Sequence, residues 1–535
     1  MVMLDVLITG GDVVDGTGSA RRRADVAVAG DRIVDVGVLT GAQADTVVDA
    51  TGMVVVPGFV DPHSHTDWTV HTNRDADSTI RQGVTTEIVG NCGISNAPVS
   101  DASLTLVQGR LRSFGFPGEV TWRSFGDYLG DVAGGGTAQN LAWFVGHSTV
   151  RAAAGVWTGP PGDDELRVME NLVSEAMDAG ALGLSTGLEY GHGRFASTAE
   201  IERLVGIAGR HDGWYASHIR NRDARLLDSV AEFLRLTEAG GVRGQISHLN
   251  VRHDTGAPAG GWERAVAMMS EARDSGCDVQ ADTTPFLEGI GLMTGVLPDW
   301  LLGDGLTEAA RRLGDPAVRR RLRDDCDRYW RFIHKGQWER VRLESSPQFP
   351  ELAGRSFVEI SDVLGKDEWD CFFDILAAGG EQMANLTMIG SLFTEKHLAD
   401  MVSHPLFSLG VDSYSSSTEG SLARTVTNPL AYCGHVHYLT HHVRDRGTLA
   451  LEEAVRKMTS MPAERFGVAD RGVLRSGAYA DLAVVDLDAL DDVSTFDRPV
   501  AYARGVGTVL VNGTVAVDAG THTGARAGRI LTRRS

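Results

Sequence analysis

His63 and His65 stand one residue apart at the end of an apolar, β-branched run, in Gly58-Phe-Val-Asp-Pro-His-Ser-His-Thr-Asp-Trp68. Residues two apart on an extended strand face the same side, so both imidazoles can reach one metal ion where the strand ends. Taken alone, His-x-His is equally compatible with a surface loop whose histidines are satisfied by hydrogen bonds. Four further segments weigh against that. Thr85-Thr-Glu-Ile-Val-Gly-Asn-Cys92, Trp214-Tyr-Ala-Ser-His218, Gln245-Ile-Ser-His248 and Phe407-Ser-Leu-Gly-Val-Asp412 each bring a thiol, imidazole or carboxylate to the end of a short apolar run. Ligands that end successive strands far apart in sequence are what a (β/α)8 barrel gathers at the C-terminal face of its strands.

The chain also resembles the amidohydrolase superfamily, and within it the N-acyl-D-amino-acid deacylase (D-aminoacylase) family. The resemblance runs almost end to end, through Pro57-Gly-Phe-Val-Asp-Pro-His-Ser-His, Gly83-Val-Thr-Thr, Gly90-Asn-Cys-Gly, Gly146-His-Ser-Thr, Gly183-Leu-Ser-Thr-Gly-Leu, Ser217-His-Ile-Arg, Ile246-Ser-His and Ala478-Tyr-Ala-Asp-Leu-Ala-Val-Val-Asp. The Asp-x-His-x-His and Ala-Asp-Leu signatures point only to the superfamily. Gly-Asn-Cys-Gly is the narrower pointer.

Many binuclear amidohydrolases bridge two metals with a carbamylated lysine between the His-x-His pair and the next histidine. Here the first lysine is Lys335, well after His248, so no such lysine is available. A thiolate can take that role, because a neighbouring metal charge drives its deprotonation. Cys92 is the only cysteine before His248, and the resemblance makes it the bridging ligand. It implies a tight Zn2+ site of Cys92, His218 and His248, and a weaker or partly filled second divalent site with His63 and His65. Asp412 matches the aspartate that takes a proton from the attacking water and returns it to the leaving nitrogen, work suited to a carboxylate held within hydrogen-bond reach.

The chain of 535 residues is long enough for a barrel with an accessory domain. Residues 1–58 read as short strands around Gly and Asp turns, and the tail from 466 to 535 repeats that texture. The resemblance joins the two as one small β-sandwich beside a metal-dependent TIM-type barrel over 59–465. Segments such as Asp164-Glu-Leu-Arg-Val-Met-Glu-Asn-Leu-Val-Ser-Glu-Ala-Met, apolar at three- and four-residue spacing, read as the barrel's helices. About 125 residues separate Ala281-Asp-Thr-Thr284, the expected seventh strand, from Asp412, far more than a βα connection uses. An inserted lid at about 285–385 is the economical reading. Its basic run, Val318-Arg-Arg-Arg-Leu-Arg, reads as a solvated helix face, and Met388-Ile-Gly-Ser as a strand whose place the pattern does not give.

Five cysteines without regular spacing make no disulfide framework and point to a reducing, cytoplasmic setting. The N-terminus lacks a basic region and carries Asp5 within its apolar stretch, against a signal peptide. No apolar run approaches the ~20 residues of a membrane span. The net charge of -21 disfavours nucleic acid and anionic membranes as partners. The expected partner is a small N-acyl compound; the oligomeric state is open.

Candidate substrate contacts are Tyr190, Arg220, Asn250, Phe286 and His147. Tyr190 matches a substrate-contacting tyrosine of the family, and Arg220, two residues after His218, shares its side of the strand. His147 follows the third strand and is as readily structural. Asp61 and Asp67 flank the His pair as orienting groups or turn formers. The histidines His435, His437, His441 and His442 read as helix or loop residues near the mouth. D-aminoacylases hold the substrate carboxylate with a lysine two residues after the third metal histidine and an arginine in a His-Pro-Arg segment; here these are Asn250 and Asn428-Pro-Leu430, and Tyr-Pro-Tyr becomes Thr284-Pro-Phe286. A guanidinium that binds a carboxylate is not replaced by Leu without loss. The sequence therefore predicts a metal-dependent hydrolase of an amide C-N bond, acting on an N-acyl compound other than a free N-acyl-D-amino acid. Three alternatives are an N-acyl-D-amino-acid deacylase with a relocated clamp, a hydantoinase-like cyclic-amide hydrolase and a non-catalytic barrel subunit.

Overall fold

The computed structural model describes residues 3–326 and 329–533; the outermost two residues at each terminus lie outside the described residues. Eight parallel strands build the barrel: β1 (Phe59–Asp61), β2 (Val84–Val89), β3 (Asn140–Trp143, continued by Val145–Gly146), β4 (Gly183–Gly187), β5 (Trp214–His218), β6 (Arg243–Ile246), β7 (Val279–Thr283) and β8 (Phe407–Leu409). They hydrogen-bond in two arcs that share β3: its first half pairs with β2 and its second with β4. At the other seam, just past the ends of β1 and β8, Asp412 N donates to His63 O at 2.9 Å and His65 N to Ser413 O at 2.7 Å. Every residue of β2, β4 and β5 is buried, as expected of parallel strands covered by helices outside and packed side chains within.

The covering helices follow their sequence pattern. Asp163–Asp178 opens with three acidic residues, which favour the positive end of the helix dipole, and Gly162 N donates to Glu165 Oε2 at 2.7 Å. Its buried residues, Leu166, Met169, Val173, Ala176 and Met177, form the stripe expected of an amphipathic helix. No helix among the described residues is long and apolar enough to cross a membrane.

The terminal segments meet in one nine-stranded sheet. The joint is the antiparallel pairing of Val54–Pro57 with Leu482–Val485, and Val6, Ile8, Val26, Leu482 and Leu510 lie in its core. Asp481 of the Ala-Asp-Leu signature ties this sheet to the barrel. Buried, it pairs with Arg471, accepts from Asn512 N at 2.6 Å and from Asn140 Nδ2, at the start of β3, at 3.2 Å. Further on, Ile530–Leu531 adds alongside the first half of β3.

The long β7–β8 connection carries a three-stranded antiparallel sheet in the order Glu288–Leu292, Thr387–Ser391, Val341–Ser345. Met388-Ile-Gly-Ser thus finds its place in the central strand, and the inserted sheet extends beyond residue 385. Trp330, Phe357, Phe372 and Phe373 are buried within the insertion. The basic run lies on the helix Pro316–Asp325, where Arg319 pairs with Asp370 and Asp374 and Arg323 with Asp367.

Candidate metal centre

The six residues that end barrel strands converge at one mouth. Ligand atoms of His63, Cys92, His248 and Asp412 all lie within 4.8 Å of one another. His63 Nε2 is 3.2 Å from Cys92 Sγ and 3.3 Å from Asp412 Oδ1, and His65 Nε2 is 3.2 Å from the same carboxylate oxygen. From the far side, His248 Nε2 lies 3.5 Å from Cys92 Sγ. The His218 ring lies against that of His248, with centroids 4.6 Å apart, and its Nε2 is 2.7 Å from Glu189 Oε2.

Cys92, His248 and Asp412 all adopt the left-handed conformation, at φ 54°, 37° and 55°. Such backbone is costly for non-glycine residues and persists where the surroundings impose it, often at functional sites. The glycines beside Cys92 serve the same turn. Gly90 and Gly93 have positive φ, and a Cβ would meet Phe144 O at 2.3 Å or Gly187 N at 2.6 Å. The Gly-Asn-Cys-Gly segment therefore presses the thiol into the ring of histidines.

The electrostatics suit a cation. Burial alone would raise the pKa of the Cys92 thiol, but His63 and His248 hold it well below the usual thiol range. Asp412 is likewise held well below the carboxylate range, against its burial, by His248 and His63. Burial would depress His65, yet hydrogen bonds to Asp412 and Cys92 push it up to about 9. Protons on His63 and His65, both held above the usual imidazole range, balance the thiolate and the carboxylate. Sulfur, imidazole and carboxylate in one buried cluster are the donor set Zn2+ takes, so the residues fit a metal of this kind.

Residues that the sequence did not single out hold this ring in place. Asp282, at the end of β7, accepts from His63 Nδ1 at 3.0 Å, His248 N at 2.8 Å and Gln245 Nε2 at 2.8 Å. Glu189 pairs with His218, Arg222 and Arg252. Arg222 lies 2.8 Å from His248 Nδ1; burial, and then Arg222, depress the His248 pKa to about 4. The only sequence signal for Asp282 was an acidic residue at a strand end.

Of the five candidate substrate contacts, Tyr190 and Asn250 line the cavity above the ring, with Trp68, Ile94, Leu392 and Tyr414 among its walls. The other three do not. Arg220 turns away and pairs with Glu232 at 2.9 Å, because β5 ends at His218 and the strand's alternation stops there. Phe286 stacks on His437 with ring centroids 4.0 Å apart. His147 is fully buried, 2.9 Å from Glu200, beside Arg151. Asp61 accepts from His63 N at 2.9 Å, whereas both Asp67 side-chain oxygens are buried without partners. The downstream histidines pair separately: His435 with Asp61, His437 with Asp492, His441 with Glu395 and His442 with Pro285 O.

Residues 46–242 and 412–517 match the amidohydrolase family, and those stretches contain every member of the ring except His248. The chain belongs to the amidohydrolase family. This amidohydrolase is 32% identical to the D-aminoacylase of Alcaligenes xylosoxydans xylosoxydans, over 99% of this chain and 98% of that one. A D-aminoacylase structure that describes a binuclear metal center superposes with a TM-score of 0.82 at 30% identity, covering 99% of this chain and 100% of that one. The N-acyl-D-glutamate deacylase of Bordetella bronchiseptica, complexed with zinc and a phosphonate inhibitor, gives 0.83 at 28% identity with the same coverage.

Proposed function

We propose that this amidohydrolase is a metal-dependent deacylase that hydrolyses the linear amide of a small N-acyl compound, with an amine part other than a free D-amino acid. One observation carries the reading: the thiolate, imidazole and carboxylate ring opens into a cavity whose only cationic wall residue among the described residues, besides its histidines, is Arg222, and that guanidinium is engaged by His248 and Glu189. Two arginines could in principle relocate a carboxylate clamp, Arg220 beyond His218 and Arg424 just before the Asn428 segment; neither lines the cavity, Arg220 being tied to Glu232 and Arg424 exposed. A free carboxylate entering there would meet one guanidinium already bonded at both terminal nitrogens and would recover only part of its lost hydration. Among the described residues no lysine lines the cavity, which removes the support for the hydantoinase-like alternative. The relatives extend the reading, because those named above are D-aminoacylases or N-deacylases of matching length.

Cys92, His218 and His248 would hold a tight Zn2+, with His63 and His65 offering a second, weaker position. A bound Zn2+ supplies Lewis acidity toward the acyl oxygen and acidifies a water. The chain's own residues do the rest. Asp412, ionised and 18% exposed at the cavity floor, accepts the proton of the water that attacks the acyl carbon. As the C-N bond breaks, the same carboxyl returns that proton to the leaving nitrogen, giving a carboxylic acid and an amine. Tyr190 packs against the His218 ring, with centroids 4.5 Å apart, fixing one wall.

The test is Cys92→Ala, with zinc measured by elemental analysis and amine release measured on N-acetylglycinamide. The variant should lose most bound zinc and most activity. Full zinc occupancy would remove the thiolate from the site and with it this reading.

A further inference from the structure

The strand Val341–Ser345 of the insertion is bulged where it pairs with Thr387–Ser391, the register shifting between Leu343 and Ser345. The residue at the bulge is Glu344, and bulges next to active sites commonly re-aim a side chain. Its fully buried carboxylate lies behind two residues of the cavity wall, Tyr414 and Thr387. Oε1 accepts from Tyr414 Oη at 3.2 Å and from Asn428 Nδ2. Oε2 is buried without a well-formed hydrogen bond, the Thr387 hydroxyl beside it being shared with Ser345 Oγ at 3.1 Å. A buried carboxylate so sparsely supplied with donors holds the protons of the hydroxyls around it.

Two neighbours point the same way. Tyr414 has one hydroxyl proton, and spending it on Glu344 leaves only lone pairs for the cavity. Asn250 donates Nδ2 to His248 O at 2.6 Å, which leaves Oδ1 as a buried acceptor without a partner in the same cavity. Asn250 stands where the related deacylases place a lysine, and Asn428, which holds Glu344, opens the segment that carries their arginine. Asparagine and leucine stand in those two positions, and beside Arg222 the Tyr414 hydroxyl oxygen and Asn250 Oδ1 present lone pairs to the cavity.

We propose that Glu344, acting as a positioning residue through Tyr414, and Asn250, in direct contact, select a substrate whose amine part carries a nitrogen donor, an ammonium or a primary amide. This rests on the deacylase reading of the same site and names the class of amine it releases. A carboxylate at that end meets the lone pairs of Tyr414 and Asn250, whereas an N–H group can donate to them.

The test uses the zinc-loaded full chain and four matched probes: N-(2-aminoethyl)acetamide, N-acetylglycinamide, N-propylacetamide and N-acetylglycine. We measure kcat/KM and, separately, the shift in melting temperature that each probe produces. The two nitrogen-bearing probes should rank above N-propylacetamide, and N-acetylglycine should rank last. In Glu344→Gln the kcat/KM ratio of N-(2-aminoethyl)acetamide to N-propylacetamide should fall by ~10-fold or more, the scale of one lost charge-assisted hydrogen bond. Tyr414→Phe should lower the same ratio, and serves if Glu344→Gln does not fold. A ratio unchanged within about twofold in either folded variant, or a wild-type preference for N-acetylglycine, overturns the proposal. If none of the four is hydrolysed yet the melting shifts keep the ranking and lose it in Glu344→Gln, the deacylase reading fails and the Glu344 assignment stands. Hydrolysis whose probe ranking does not depend on Glu344 overturns the Glu344 assignment and leaves the deacylase reading in place.

Discussion

Asp282→Asn separates charge from shape at the residue that holds two histidines of the ring. The carboxylate is 1% exposed and accepts three hydrogen bonds, two at Oδ1 from His63 Nδ1 and His248 N and one at Oδ2 from Gln245 Nε2. Asparagine can keep all three contacts. Its carbonyl oxygen replaces Oδ1, and its amide faces Gln245, whose own Oε1 is buried without a partner and can rotate inward to accept. What goes is the charge. Bonds to charged groups contribute roughly 1.5–3 kcal/mol and neutral ones about 1, so three bonds predict a loss of about 1.5–6 kcal/mol. Asp282→Ala strands three buried donors and should cost about 2 kcal/mol more. Removing a partner that orients a metal ligand typically weakens metal binding by about 10–100-fold. Urea unfolding of the zinc-loaded protein and zinc competition with a chelator measure both effects. Stability within about 0.5 kcal/mol of wild type, together with zinc affinity within about threefold, would show that Asp282 does not hold the ring through its charge.

Two other outcomes follow from the geometry. His397 accepts from Val251 N at 2.9 Å, and burial depresses its pKa to about 4; its stabilising contribution is therefore complete above the unfolded value of 6.5 and is lost as pH falls from there toward 4, at most about 3 kcal/mol. His397→Gln keeps an acceptor without the titration and should flatten that part of the stability–pH curve; an equally steep decline in the variant would count against it. Arg220→Ala should leave kcat/KM within about twofold and cost no more than ~1 kcal/mol, since the lost ion pair with Glu232 is partly exposed, and a large loss of activity would return Arg220 to the site.

The ring itself was legible because each member ends its own apolar run, so a local pattern and a fold rule together bring His63, His65, Cys92, His218, His248 and Asp412 to one face. Groups that act by apposition were not. Asp282, Glu189, Arg222 and Arg252 are ordinary charged residues until the barrel closes and sets each against a histidine or another charge. Arg220 marks the limit of periodicity: alternation holds only while the strand lasts, and two residues beyond His218 the chain has already turned toward Glu232, leaving Arg222 as the cation beside the ring. Phe286 fails for the same reason, lying past the end of β7 at Thr283. In the insertion the deciding contacts are pairings between strands far apart in sequence, Glu288–Leu292 and Val341–Ser345 on either side of Thr387–Ser391, for which short apolar segments carry no address. Glu344, whose role depends on a bulge in one of those pairings, was invisible for that reason.

Whether this ring is a metal-dependent deacylase site in which Asp412 moves the proton is decided by measuring amine release from N-acetylglycinamide and bound zinc, on the same samples, in wild type and Asp412→Asn. The wild type should turn over and lose that turnover to a zinc chelator, while the variant keeps its zinc and its kcat falls by ~100-fold or more, the usual scale of a lost general acid–base. Near-normal turnover by the variant at saturating substrate, or a wild type as active after complete zinc removal as before it, would show that the ring does not work in this way.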